Sequence, residues 1–129
     1  MNGRYRLDTT IVVAMLRGDP AISQRLGETD EVFISSIVLG ELYYGARHSA
    51  RAEENLAQIE TFATEARVIS CDRGTADRYG RIKNRLRIKG RSIPENDIWI
   101  AATAQQHGLT LVSRDLHFQE VNDLTLETW

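Results

Sequence analysis

A single α/β domain with a mostly parallel sheet is what this sequence predicts, on three observations. Short runs rich in β-branched and apolar residues, such as "EVFIS", "RVIS" and "LTLVS", alternate with longer stretches whose apolar residues recur at helical spacing. No tight hairpin turn joins two of the strand-like runs, so consecutive strands must be linked by helical crossovers, the connection that parallel strands require. The chain has 129 residues, 42% of them hydrophobic, with no repeat or low-complexity linker, which suits one core rather than two domains.

Each element has a local reason. Residues 4–7 read as a short strand leading into Asp8, and "TTIVVAMLRG" then reads as a helix closed by Gly18, Asp19 and Pro20. "EVFIS" is the second strand, followed by a helix from Ser36 through "IVLGELYYGA". Leu56, Ile59, Phe62, Ala63 and Ala66 mark a helix within residues 51–66, and "RVIS" follows as the third strand. A helix from about Thr75 carries Ala76, Tyr79, Ile82 and Leu86 on its apolar stripe, with Arg78, Arg81 and Arg85 on the other side. Pro94 suits the first turn of the next helix and Gly108 its end; "LTLVS" and "LTLE" complete a sheet of about five strands with helices on both faces.

Composition narrows the function classes. A formal charge of −2 gives no hint of nucleic-acid binding in the total, and no apolar run approaches the roughly 20 residues that span a bilayer. "MNGRYRLDTT" lacks the apolar core of a signal peptide, and a single cysteine, Cys71, fits a buried core residue in a reducing cytoplasm, the expected location. Charge distribution says more than the total. Arg78, Arg81, Lys83, Arg85, Arg87, Lys89 and Arg91 fall within fourteen positions free of any acid. Such a run is either a solvated helix face or a contact for an RNA backbone, for which Arg81 and Arg85 are candidates; Arg114 is another.

The acids carry the chemistry. "IPENDIWIAATA" sets Asp97 against a run that reads as a buried helix, where an ionised carboxylate needs a cap position, a salt bridge or a metal ion. Asp8 follows the first strand and Asp115 the fourth. In parallel sheets the working crevice lies beyond the carboxyl ends of the strands, so both should face it. Glu41 lies inside an otherwise apolar helix beside Leu39 and Leu42. Three of the acids also have a purely structural explanation, Asp8 as a helix cap, Asp97 as a favourable charge at a helix start and Asp115 as a turn acid, whereas Glu41 on an apolar helix calls for a partner. Four converging carboxylates would repel one another unless a cation joins them, and an oxygen-only donor set suits Mg²⁺, or Mn²⁺ in its place, better than zinc.

Other candidates weigh less. His48, His107 and His117 have no mutual zinc-site spacing, and His107 reads as a helix C-terminal cation. Nucleotide-binding glycine loops are absent. Of Tyr43 and Tyr44, one reads as core and the other as interface; Trp99 reads as core or dimer contact.

Taken together, "LDTT", "ISSIVLGELYYGA", "IPENDIWIAATAQQHGLTLVSRD" and a terminal Trp resemble the PIN-domain ribonucleases, specifically the VapC toxins of bacterial type II toxin–antitoxin pairs. The resemblance covers nearly the whole chain and implies one PIN domain over residues 1–129. It implies that Asp8, Glu41, Asp97 and Asp115 form the acidic site, with Asp8 and Asp97 as direct ligands of a first Mg²⁺ and Glu41 and Asp115 as second-metal or water-mediated ligands. It further implies an RNA substrate cut to 5′-phosphate and 3′-hydroxyl ends, a VapB-type antitoxin, a homodimer, and promoter DNA reached only through the antitoxin. Two positions depart from the family pattern. Thr10 stands where Asn is common and Ser113 where Thr is common, both keeping a hydroxyl to support the site.

The expected function is therefore a Mg²⁺-dependent endoribonuclease acting as a toxin. A free-standing PIN-domain RNA-processing nuclease is the alternative. A phosphoacceptor signalling domain is a rival from another class, disfavoured because it requires a late lysine and the only lysines are Lys83 and Lys89.

Overall fold

The computed structural model describes residues 4–29 and 31–129. Its strands are β1 (Arg4–Leu7), β2 (Glu31–Ser35), β3 (Arg67–Ile69), β4 (Thr110–Val112) and β5 (Leu126–Glu127). Its helices are α1 (Thr9–Leu16), α2 (Pro20–Gly27), α3 (Ser36–Arg47), α4 (Ala52–Glu65), α5 (Arg73–Ile88) and α6 (Glu95–Gln106), with a 3₁₀ turn over Leu116–Glu120. The sheet order is β3-β2-β1-β4-β5, and every neighbouring pair is parallel. The expectation of a mostly parallel sheet thus becomes an all-parallel one among the described residues.

β1 lies at the centre, paired on one side with β2 and on the other with β4, so the chain's crossovers diverge from it. Such a divergence opens a crevice at the carboxyl ends of the strands. Tyr5, Arg6 and Leu7, which point alternately to the two faces, are all buried, so both faces are covered. The core gathers Leu7, Ile11, Ile34, Val38, Leu111 and Val112 with α6. In α6, Ile98 and the five consecutive residues from Ile100 to Ala104 are buried. That burial on more than one side explains why this helix lacks a clean amphipathic stripe in sequence.

Four local features depart from the sequence reading. α2 was not anticipated, because Asp19 and Pro20, read as the stop of α1, are also the start of α2. Gly18, at φ 87°, breaks α1; the Asp19 carboxylate then accepts from the backbone N–H groups of Ala21 and Ile22 at 3.0 and 3.2 Å, and Pro20 takes the first helical position. α5 begins two residues earlier than expected, at Arg73. Asp72 and Thr75 form a reciprocal capping box there, and Thr75 replaces the exposed Ala76 on the buried side. Pro94 is the N-cap of α6 rather than part of its first turn, and its carbonyl accepts from Asp97 and Ile98. Cys71 is only half-buried, in the loop before α5, rather than in the core.

Arg6 is a fully buried cation in the central strand, which the sequence pattern did not single out. Burial lowers its pKa to about 9; Cys71 and Asp8 are the nearby groups that oppose this.

Candidate functional site

The crevice is built outward from the end of β1. Asp8 caps α1: its Oδ1 accepts from the Ile11 backbone N–H at 3.0 Å and from the Thr10 hydroxyl at 2.8 Å. Its Oδ2 accepts from the Ser113 hydroxyl at 2.5 Å, joining the end of β1 to the end of β4. The Ser113 oxygen in turn accepts from the Asp115 backbone N–H at 2.9 Å. Thr10 and Ser113, the two departures from the family pattern, therefore both donate to Asp8. The carboxylate is 3% exposed and hydrogen-bonded on both oxygens, so capping and site position are served by the same group.

Glu41 reaches the crevice from α3. Its two oxygens accept from the Thr9 hydroxyl at 2.5 Å and the Asn96 side-chain amide at 3.3 Å, tying α3 to the starts of α1 and α6. Asp97 lies in the first turn of α6 but makes no capping hydrogen bond. Burial raises its proton affinity, and Glu41 and Asp115 push in the same direction, against the lowering contact with His117. Asp115, after β4, starts the 3₁₀ turn, again without a side-chain cap. Asp8, Glu41, Asp97 and Asp115 line one crevice with His117.

His117 brings a nitrogen donor into a crevice that the sequence reads as all-oxygen. Its Nε2 lies 2.5 Å from Asp97 Oδ2 and its Nδ1 2.9 Å from Asp115 Oδ1. His–His spacing in the sequence does not reveal it; the usable signal is Asp-x-His at the end of a strand, which places both side chains at one turn. Thr9 and Asn96 were missed because only the fold brings them to Glu41. Asp97, Asp115 and His117 each offer an atom within 4.8 Å of the others. Among the described residues this is the tight group, and Asp8 stands beside it in the crevice wall.

The basic run sits elsewhere in its electrostatics. Arg81 pairs with Asp77 at 3.1 Å, Lys83 with Glu95 at 2.6 Å and Arg85 with Asp123 at 3.2 Å, while Lys89 and Arg91 approach Glu120. The acids absent from the run are supplied mostly by other segments. Arg114, although adjacent to Asp115, donates to the Trp129 carbonyl at 2.6 Å and pairs with Asp19 at 3.1 Å. Tyr43 is half-buried and donates to Glu60, whereas Tyr44 is 71% exposed. Trp99 is half-buried and stacks on Tyr79 with ring centroids 4.1 Å apart.

Comparison with known proteins bears on this geometry. The model of the PIN domain matches residues 5–124. The chain is 39% identical over 129 residues to ribonuclease VapC2 of Haemophilus influenzae, covering 98% of each protein. It is 34% identical, with 98% of each covered, to the tRNA(fMet)-specific endonuclease VapC of Shigella flexneri. A crystal structure of VapBC2 from Rickettsia felis bound to a fragment of its promoter DNA superposes with a TM-score of 0.91 at 31% identity, covering 100% of this chain and 99% of that one. Sequence and fold agree along the full length, and the chain belongs to the PIN domain family, among the VapC ribonucleases.

Proposed function

We propose that this chain is a metal-dependent endoribonuclease and the toxin of a VapBC-type pair. The observation that carries the reading is the convergence of Asp8, Glu41, Asp97 and Asp115 on one crevice at the ends of β1 and β4, with the proton affinity of Asp97 raised by burial and by its acidic neighbours. Such a cluster fits a divalent cation, since a cation removes the repulsion that the carboxylates exert on one another. A bound Mg²⁺ or Mn²⁺ would lower the pKa of a water molecule and offset charge on a phosphodiester, with a second ion stabilising the leaving oxygen.

The protein's part is positioning. Asp97 from α6 and Asp115 from the end of β4 would hold the ion, and Glu41 is held ready by Thr9 and Asn96. Asp8 is fixed by Ser113, Thr10 and the α1 backbone, so it keeps its place while substrate exchanges. Water attacks in line without a covalent intermediate, leaving 5′-phosphate and 3′-hydroxyl ends. On this reading the protein acts in the cytoplasm as a homodimer. A VapB-type antitoxin silences it by presenting a basic side chain to the crevice acids, and promoter DNA is engaged only through that partner. No helix among the described residues is long and apolar enough to cross a membrane.

The decisive experiment incubates purified protein with total RNA, with Mg²⁺, with Mn²⁺ and with EDTA, and maps the cut ends by sequencing. Discrete cuts that require the metal support the reading. Undiminished cutting by protein shown to be metal-free sinks it.

A further inference from the structure

His117 stands where an all-carboxylate site has no use for it, with both ring nitrogens on acids of the crevice. Nε2 meets Asp97 from α6 and Nδ1 meets Asp115 from the end of β4, at 2.5 and 2.9 Å. The ring is held in place. His117 follows Asp115 by two residues on the 3₁₀ turn and lies beside the ring of Phe118, which is 1% exposed and roots the turn in the core. The imidazole is 28% exposed, so it is reachable from the crevice yet not free to swing into solvent.

We propose that His117 is a nitrogen ligand of the metal centre, together with Asp97 and Asp115, and that it shifts the centre's preference from Mg²⁺ toward Mn²⁺ and the later first-row ions. The inference rests on the metal-dependent reading above and specifies the ion. Mg²⁺ is a hard cation that takes oxygen donors, whereas imidazole favours first-row transition ions. A ligating histidine characteristically gives one nitrogen to the metal and donates its other N–H to a carboxylate, which fixes the ring and its tautomer. Here a carboxylate already faces each nitrogen. Whichever nitrogen turns to the ion, the other keeps a carboxylate acceptor that fixes the ring.

The competing role for this residue is a placeholder, a cation that occupies the space between two acids and must leave before an ion enters. The two roles predict opposite effects of removing the ring. A ligand lost weakens Mn²⁺ binding; a competitor lost strengthens it.

Metal affinities of the wild type, His117→Asn and Asp97→Asn, measured by titration calorimetry on the full chain, decide between them. The wild type should bind Mn²⁺ at least about tenfold more tightly than Mg²⁺. His117→Asn should weaken Mn²⁺ by about 10- to 100-fold while changing Mg²⁺ by less than about threefold. Pulsed electron paramagnetic resonance of Mn²⁺ bound to wild-type protein labelled with ¹⁵N-histidine should show coupling to a directly bound nitrogen, a result that needs no variant to fold. Mn²⁺ binding that requires Asp97 but is unchanged or tighter in His117→Asn, with no nitrogen coupling, would overturn the ligand role and leave the metal centre standing. Failure of the wild type to bind either ion would overturn both.

Discussion

Two regions of this molecule are rich in charge, and they are organised in opposite ways. On α5 and its surroundings, cations meet acids: Arg81, Lys83 and Arg85 each have a carboxylate within 3.2 Å, and most of the side chains are more than half exposed. In the crevice, acids meet acids. Asp97 is pressed toward its protonated form by burial, Glu41 and Asp115, with His117 as the counterweight. Paired, hydrated charges cost little and contribute little. Like charges held together in a half-buried crevice oppose folding, so their persistence points to a ligand that repays them. The difference teaches that density of charge is a poor guide to function, while the sign of its neighbours is a good one.

The strongest way to break the comparison is Asp97→Asn, whose amide oxygen still accepts from His117 but lacks the charge. Cleavage should fall by about a thousandfold, the several kcal/mol that a correctly held ion supplies. Retained cleavage of mapped RNA sites would make the crevice as incidental as the α5 face.

Next in size is Ser113→Ala. It removes a buried donor from the buried Asp8 carboxylate and should cost about 1–3 kcal/mol of stability, read as a lower urea midpoint. Ser113→Thr keeps the hydroxyl and should cost less. Equal losses in the two variants would locate the effect in packing instead.

The third test turns on a sign. The folded pKa of Asp97 lies above its unfolded value, so the native state holds its proton more tightly. Stability from this group is complete below the unfolded pKa and is lost as pH rises through the folded pKa. Without metal, Asp97→Asn should therefore be more stable than the wild type at neutral pH, by about 1 kcal/mol, with the advantage fading in acid. Added metal should reverse the order, since it stabilises only the state that binds it. A variant that is less stable than the wild type at neutral pH, yet responds equally to metal, would mean that Asp97 serves the fold alone.

The smallest effect is expected from replacing Arg81 and Arg85 together by Ala. Their partners lie within the protein, so RNA affinity, its salt slope and the melting temperature should change little. A salt slope reduced by about one per arginine would sharpen the comparison differently, by making the paired face a docking surface for phosphates.

What the sequence made legible was local. Strands and helices announced themselves through apolar period and caps, and the four acids through carboxylates set in apolar surroundings or just beyond strand ends. What stayed hidden depended on contacts between distant segments. The ion pairs of Arg85 and Lys89 join α5 to residues 120–123, so a run without acids of its own in the chain meets acids in space. His117 gains its meaning from Asp97, twenty positions earlier on another element. α2 was overlooked for a different reason: Asp-Pro after a glycine ends one helix and starts another with the same residues.

The placement of β1 between β2 and β4 has a consequence for how the protein is made. Tyr5, Arg6 and Leu7 find their β4 partners only at Thr110, Leu111 and Val112, and Asp8 meets Ser113 across 105 residues. The central strand is therefore completed only by a closure between distant segments, and long-range pairing of this kind slows folding. A chain in which β4 has not yet docked on β1 has no assembled crevice, since Asp115 and the Ser113 partner of Asp8 both follow β4.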